Sequence, residues 1–104
     1  MNIFKNLFGS GTDTNFAELA AAGATIIDVR NPDEFSGGHI SGSINIPLSS
    51  LVQNISKFNK DKPIITCCAS GMRSASAKSV LITNGFTQVY NGGGWYGLQN
   101  ELNK

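Results

Sequence analysis

Two adjacent cysteines, Cys67 and Cys68, open the stretch CCASGMRSAS over residues 67–76. Counted from Cys68, a glycine stands three residues on (Gly71), an arginine two beyond it (Arg73), and then a serine (Ser74). Cysteine attacks as the thiolate, so anything that stabilises negative charge on sulfur activates it. Between a strand and a helix, this loop would turn successive backbone N–H groups inward as a nest for an anion. The helix N-terminus adds partial positive charge and Arg73 a full one. Gly71 permits curvature that a side chain would obstruct. The expectation is a nucleophilic, loop-borne Cys68. The loop that follows, Ala69, Ser70, Gly71, Met72, Arg73 and Ser74, is expected to be that anion nest and so to bind the substrate.

Other candidates read more plainly. Cysteine is among the most buried residue types, and Cys67 ends an apolar run, so it reads as core filler. A cation at a helix N-terminus is unfavourable unless an anion is near, so Arg73 is expected to meet one. His39 with two neighbouring cysteines supplies too few well-spaced ligands for zinc and is given a structural role. Asp28 and Arg30 are expected to organise a loop through hydrogen bonds. Gly92–Gly94 is expected to form a tight turn beside the site.

Elements must place that loop. Asn15 with Glu18 pairs as a cap for a helix that stops at Gly23. Thr25–Val29 is short, apolar and rich in β-branched residues, a buried strand. Asn31, Pro32, Asp33 and Glu34 announce a helix start, and Gly37 and Gly38 end it. Ser43–Ile46 is the next strand. Leu48, Leu51, Val52 and Ile55 then share one helical face. Pro63–Cys67 is a third strand, followed by a helix from about Met72 with Ala77, Val80 and Leu81 inward. Thr87–Tyr90 is a last strand, and Trp95, Leu98 and Leu102 mark one face of a closing helix. Strands alternating with helices predict an α/β domain around a parallel sheet of about four to five strands, covered on both faces. In such sheets functional groups gather at the carboxyl ends of the strands.

With 104 residues, 40% of them hydrophobic, the chain fits one domain with a sizeable core. The core is expected over about 14–103, with 1–13 as an N-terminal extension and linker. Within it, Ile3, Phe4, Leu7 and Phe8 recur at helical spacing, a short amphipathic segment expected to dock on the core. Net charge is +1 with scattered Lys and Arg, which excludes the basic footprint of a nucleic-acid binder. No apolar run approaches a membrane span, and the first residues lack a signal-peptide core. Adjacent cysteines make no disulfide framework, so the expected address is a reducing cytoplasm.

Cys68-Ala69-Ser70-Gly71-Met72-Arg73-Ser74 resembles the active-site loop of rhodanese-like sulfurtransferases. Asp28-Val29-Arg30 with Glu34-Phe35, and the run from Gly38 to Pro47 (GHISGSINIP), are similar to the other two signatures of that family. The resemblance extends from about Thr25 to Gly94. It implies a sulfurtransferase in which Cys68 takes a sulfane sulfur from thiosulfate or a persulfide as a persulfide of its own. A thiol, cyanide or partner protein then accepts the sulfur. It implies that Arg73 holds a small anionic donor and that neither metal nor organic cofactor is needed; a monomer is expected. Two alternatives stand beside it. Cys67 lies six positions before Arg73, the Cys-x5-Arg spacing of cysteine phosphatases and arsenate reductases, although Ser70 then falls where Gly71 is wanted. The other is a non-catalytic binding module of the same fold.

Overall fold

The computed structural model describes residues 14–104. The amphipathic segment expected over Met1–Gly9 lies outside them. Helix α1 (Phe16–Ala21) starts where Asn15 Oδ1 accepts the Glu18 N–H at 3.0 Å. Then follow β1 (Thr25–Asp28), α2 (Pro32–Ser36) and a two-residue β2 (Ile44–Asn45). A 3₁₀ turn (Leu48–Ser50), α3 (Leu51–Asn54) and a second 3₁₀ turn (Ile55–Lys57) lead to β3 (Ile64–Cys68). The chain continues through α4 (Met72–Thr83), β4 (Val89–Gly94) and α5 (Trp95–Leu102).

The four strands pair in the order β2-β1-β3-β4, and every pairing is parallel. β3 runs through the middle with all five residues buried, as a strand covered on both faces must. Alternation along the strands splits the core into two layers. Ile27, Val29, Ile64 and Cys68 pack with Leu51, Ile55, Ala77 and Leu81 on the side of α3 and α4. Ile26, Ile65 and Cys67 pack with Phe16 and Leu98 on the side of α1 and α5. Each fully buried aliphatic side chain removes enough area from water to contribute about 1.5–3 kcal/mol. The sheet is thereby clamped from both faces, and the end of β3 is held in register.

Four expectations need correction. The helix expected from Leu48 is broken by 3₁₀ turns, whose tighter winding shifts its phase. Leu51 and Ile55 stay inside, while Val52 turns out to solvent at 57% exposure. β3 begins and ends one residue later than expected, so Cys68 is the last residue of a strand rather than a loop residue. β2 is shorter than Ser43–Ile46, consistent with its place at the sheet edge. Finally, Gly92–Gly94 is no turn: it is the second half of β4. A Cβ on Gly92 would lie 2.8 Å from both Leu98 Cδ2 and the Thr66 oxygen, and one on Gly94 would lie 2.8 Å from the Ala69 oxygen. Only a strand without side chains can approach β3 and the following loop so closely.

Candidate active site

The site is built at the carboxyl end of β3, where Cys68 hands the chain to a tight loop and then to α4. Gly71 sits at φ +107°, a left-handed conformation that a side chain would strain. That turn brings the loop back over the sulfur. The Gly71 N–H donates to Cys68 Sγ at 3.0 Å and the Ser74 N–H donates at 3.3 Å. Burial is the largest single influence on the thiol and opposes its ionisation. The amides of Ser74 and Gly71, the Ser74 hydroxyl and the Ser70 amide outweigh it and hold Cys68 below the ordinary thiol range. The Ser74 hydroxyl is itself held in place by Asn91 Oδ1, which accepts from it at 2.6 Å.

Cys67 is the opposite case. Its side chain lies in the other core layer, with Ile26, Ile65 and Leu98. Burial, then the nearby Asp28, pushes its thiol up to about 12. A phosphatase register needs Cys67 in the anion-binding loop, and the alternation of β3 aims it away from that loop.

The expected loop residues divide into three groups. Gly71 and Ser74 meet Cys68 directly, and Ser70 contributes its amide. Ala69 and Ser70 are exposed at the mouth, and Met72, 80% exposed, faces solvent. Arg73 turns onto Glu34: Nη1 donates to Oε1 at 2.8 Å and Nη2 to Oε2 at 3.0 Å. The anion that a cation in the first turn of α4 requires is thus a side chain of α2. Hydrogen bonding by Arg73, then by the Asn31 amide, holds the Glu34 carboxyl at about 2.

Behind the loop lies a buried scaffold. Arg30 donates to both carboxylate oxygens of Asp28, the shortest contact being 2.7 Å, and to the Gly38 oxygen at 2.7 Å. It also reaches the Glu34 carbonyl at 3.3 Å and lies 4.8 Å from the centroid of the Trp95 ring. Asn45 Nδ2 donates to the carbonyls of Asp28 and Arg30 and ties β2 to the same corner. Asp28 and Arg30 therefore organise the corner, as expected. His39 stacks on Phe35 with centroids 3.7 Å apart, and its Nδ1 bonds the Phe35 oxygen at 2.7 Å, a local structural role.

Asn91 is the residue that sequence reasoning missed. Its Oδ1 accepts the Gly93 N–H at 2.9 Å as well as the Ser74 hydroxyl, joining β4 to the loop. An Asn followed by glycines is a known local signal, since its side chain bonds backbone two residues on. Thr66 adds a second strut, donating to the Ser74 carbonyl at 2.9 Å.

The family model for the Rhodanese-like domain matches residues 12–101. The chain is 42% identical over 77 residues to the thiosulfate sulfurtransferase GlpE of Stutzerimonas stutzeri, covering 74% of this chain and 71% of that one. It is 48% identical over 68 residues to YqhL of Bacillus subtilis, covering 65% of this chain and 54% of that protein. It therefore spans about half the length of YqhL. Among solved structures, a rhodanese with anions from E. coli superposes with a TM-score of 0.68 at 34% identity, covering 71% of this chain and 89% of that one. A human single-domain sulfurtransferase superposes with a TM-score of 0.71 at 25% identity, covering 79% and 86% respectively. With a match across most of its length and relatives of this likeness, the chain belongs to the rhodanese-like domain family.

Proposed function

We propose that the protein is a sulfurtransferase that carries a sulfane sulfur on Cys68. The observation behind this reading is the cradle itself: a cysteine sulfur at a strand's carboxyl end receives the Gly71 and Ser74 amides. Each hydrogen bond to a charged group is worth about 1.5–3 kcal/mol, enough to keep a buried sulfur anionic.

In the first half-reaction the Cys68 thiolate attacks the terminal sulfur of thiosulfate or of a persulfide donor. A sulfur–sulfur bond forms to Sγ while the donor's own bond to that sulfur breaks. With thiosulfate, sulfite leaves with the electron pair. Cys68 is then a persulfide, its outer sulfur about 2 Å farther out and bearing the charge. The amides that held the thiolate are suited to hold this anion too. In the second half-reaction a thiolate, cyanide or a protein thiol attacks the outer sulfur and Sγ leaves as thiolate again. Splitting the transfer at a covalent intermediate replaces one difficult encounter by two easier ones. Arg73, beside its partner Glu34, is the cation that an anionic donor meets at the rim.

The same proposal has the protein acting as a cytoplasmic monomer, without metal or organic cofactor, on a small anionic donor and a thiol or protein acceptor. No helix among the described residues is long and apolar enough to cross a membrane. Intact mass after incubation with thiosulfate tests the reaction. One added sulfur atom, removed again by cyanide, is the expected result; an unchanged mass overturns it.

A further inference from the structure

The loop's arginine is engaged before any donor arrives. Both terminal nitrogens of Arg73 are bonded to the Glu34 carboxylate, at 2.8 and 3.0 Å. Glu34 is itself fixed: Oε1 also accepts the Asn31 N–H at 3.0 Å, and the Glu34 carbonyl accepts from Arg30 at 3.3 Å. A bidentate carboxylate–guanidinium pair held this way is preorganised and is not displaced without loss. Asp28 and Arg30 cancel within their own buried pair. Arg73 is within electrostatic reach of Cys68, and Glu34 matches its charge in the pair, so the negative charge of the Cys68 thiolate itself is left over.

That balance discriminates among donors. Thiosulfate is a dianion, whereas an organic thiosulfonate carries the same kind of transferable sulfur on a monoanion. A site with a residual negative charge penalises the extra charge of the dianion. We propose that Glu34 is a specificity-determining residue that, by occupying Arg73, biases the site toward sulfane-sulfur donors of low charge and against dianionic ones. The inference rests on the sulfurtransferase reading of Cys68.

The test compares thiosulfate with benzenethiosulfonate. Each loses its terminal sulfur to Cys68 and releases its remainder, sulfite or benzenesulfinate, with the electron pair. The quantity read is kcat/KM for thiosulfate divided by kcat/KM for benzenethiosulfonate, at a fixed concentration of cyanide as acceptor. Glu34→Gln keeps an amide oxygen for the Asn31 and Arg73 donors but removes the charge. It raises that ratio about three- to tenfold at low ionic strength, the scale of one partly screened unit charge. The gain shrinks in about 1 M salt, where the Debye length is roughly 3 Å. Should the variant fold poorly, a salt series on the unaltered protein serves instead: screening a net repulsion raises the ratio as salt increases. A ratio that stays constant or falls, in the variant or in the salt series, overturns the inference while leaving sulfur transfer intact. Failure of both donors to release sulfite or sulfinate from the unaltered protein overturns the sulfurtransferase reading, and the inference with it.

Discussion

Cys67 and Cys68 are consecutive residues of one strand whose thiols lie in different layers of the core and in opposite electrostatic surroundings. Cys68 packs on the α3–α4 side beneath the amides of Gly71 and Ser74. Cys67 packs on the α1–α5 side, where burial and Asp28 push its thiol up to about 12. One residue of register separates an activated sulfur from an inert one.

The two thiols therefore differ in their alkylation. Iodoacetamide modifies Cys68 with a pH midpoint below the ordinary thiol value of about 8.5, because the thiolate is the reactive form. Cys67 reacts only when the fold opens. Cys67→Ala retains most sulfur transfer, whereas Cys68→Ser folds and loses it. The rate of modification of each cysteine against pH, read by peptide mass spectrometry, checks this ordering.

Arg73→Ala removes the positive charge at the rim and leaves the Glu34 carboxylate without its guanidinium partner. The kcat/KM for thiosulfate falls about tenfold or more, the scale of one charge-assisted hydrogen bond. Thermal stability changes little, since the pair is about one-third exposed and solvent screens it. Steady-state kinetics beside a thermal melt separates the two effects. Equal losses in both would assign Arg73 to the scaffold.

The Glu34 carboxyl, at about 2 in the folded protein, titrates far below its ordinary value of 4.5. A depressed carboxyl contributes stability that is complete above its unfolded value and is lost as pH falls through the folded one. The Arg73–Glu34 pair thus persists through the neutral range and weakens only between about 4.5 and 2. The acid limb of the activity profile follows the Cys68 thiol, so Glu34→Gln keeps the limb and, by removing a like charge, moves it only toward lower pH. A profile in which that variant removes the acid limb contradicts this assignment.

Arg30→Ala strands the Asp28 carboxylate in the core, both side chains being almost wholly buried. Breaking a buried ion pair from one side costs about 3–5 kcal/mol. The loss reaches the site, because Arg30 also holds the Gly38 and Glu34 carbonyls. Urea unfolding shows a large drop in midpoint.

Asn91→Ala cuts the tie between β4 and the loop and frees the Ser74 hydroxyl. Asn91→Asp keeps an acceptor for both donors but adds a charge behind the loop. The alanine variant loses activity through looser amides. The aspartate variant keeps the hydrogen bonds and shifts the Cys68 alkylation midpoint upward, since a like charge disfavours the thiolate. Alkylation profiles of the two variants distinguish these effects.

Much of this architecture was legible from local chemistry. The Asn15 and Asn31 helix starts and the apolar β-branched strands are short-range signals, and each is present. The placement of Cys68 over Cys67 follows from strand alternation together with the spacing to Gly71. What stayed hidden is long-range. Glu34 and Arg73 stand 39 positions apart, and nothing in the spacing of either indicates that two helix starts converge. The glycines of β4 carry a turn signature in isolation; only their close approach to Thr66, Leu98 and Ala69 makes them a strand. Val52 fitted a helical face that 3₁₀ turns take out of phase.

The claim that Cys68 carries the sulfur is tested most directly by locating the sulfur. The protein is incubated with thiosulfate, freed of donor, alkylated and digested, and the persulfide is mapped between two residues that share one peptide. Fragment masses place the additional sulfur on Cys68, the label disappears after cyanide treatment, and it persists in Cys67→Ala but not in Cys68→Ser. An additional sulfur on Cys67, retained in Cys68→Ser, contradicts the account.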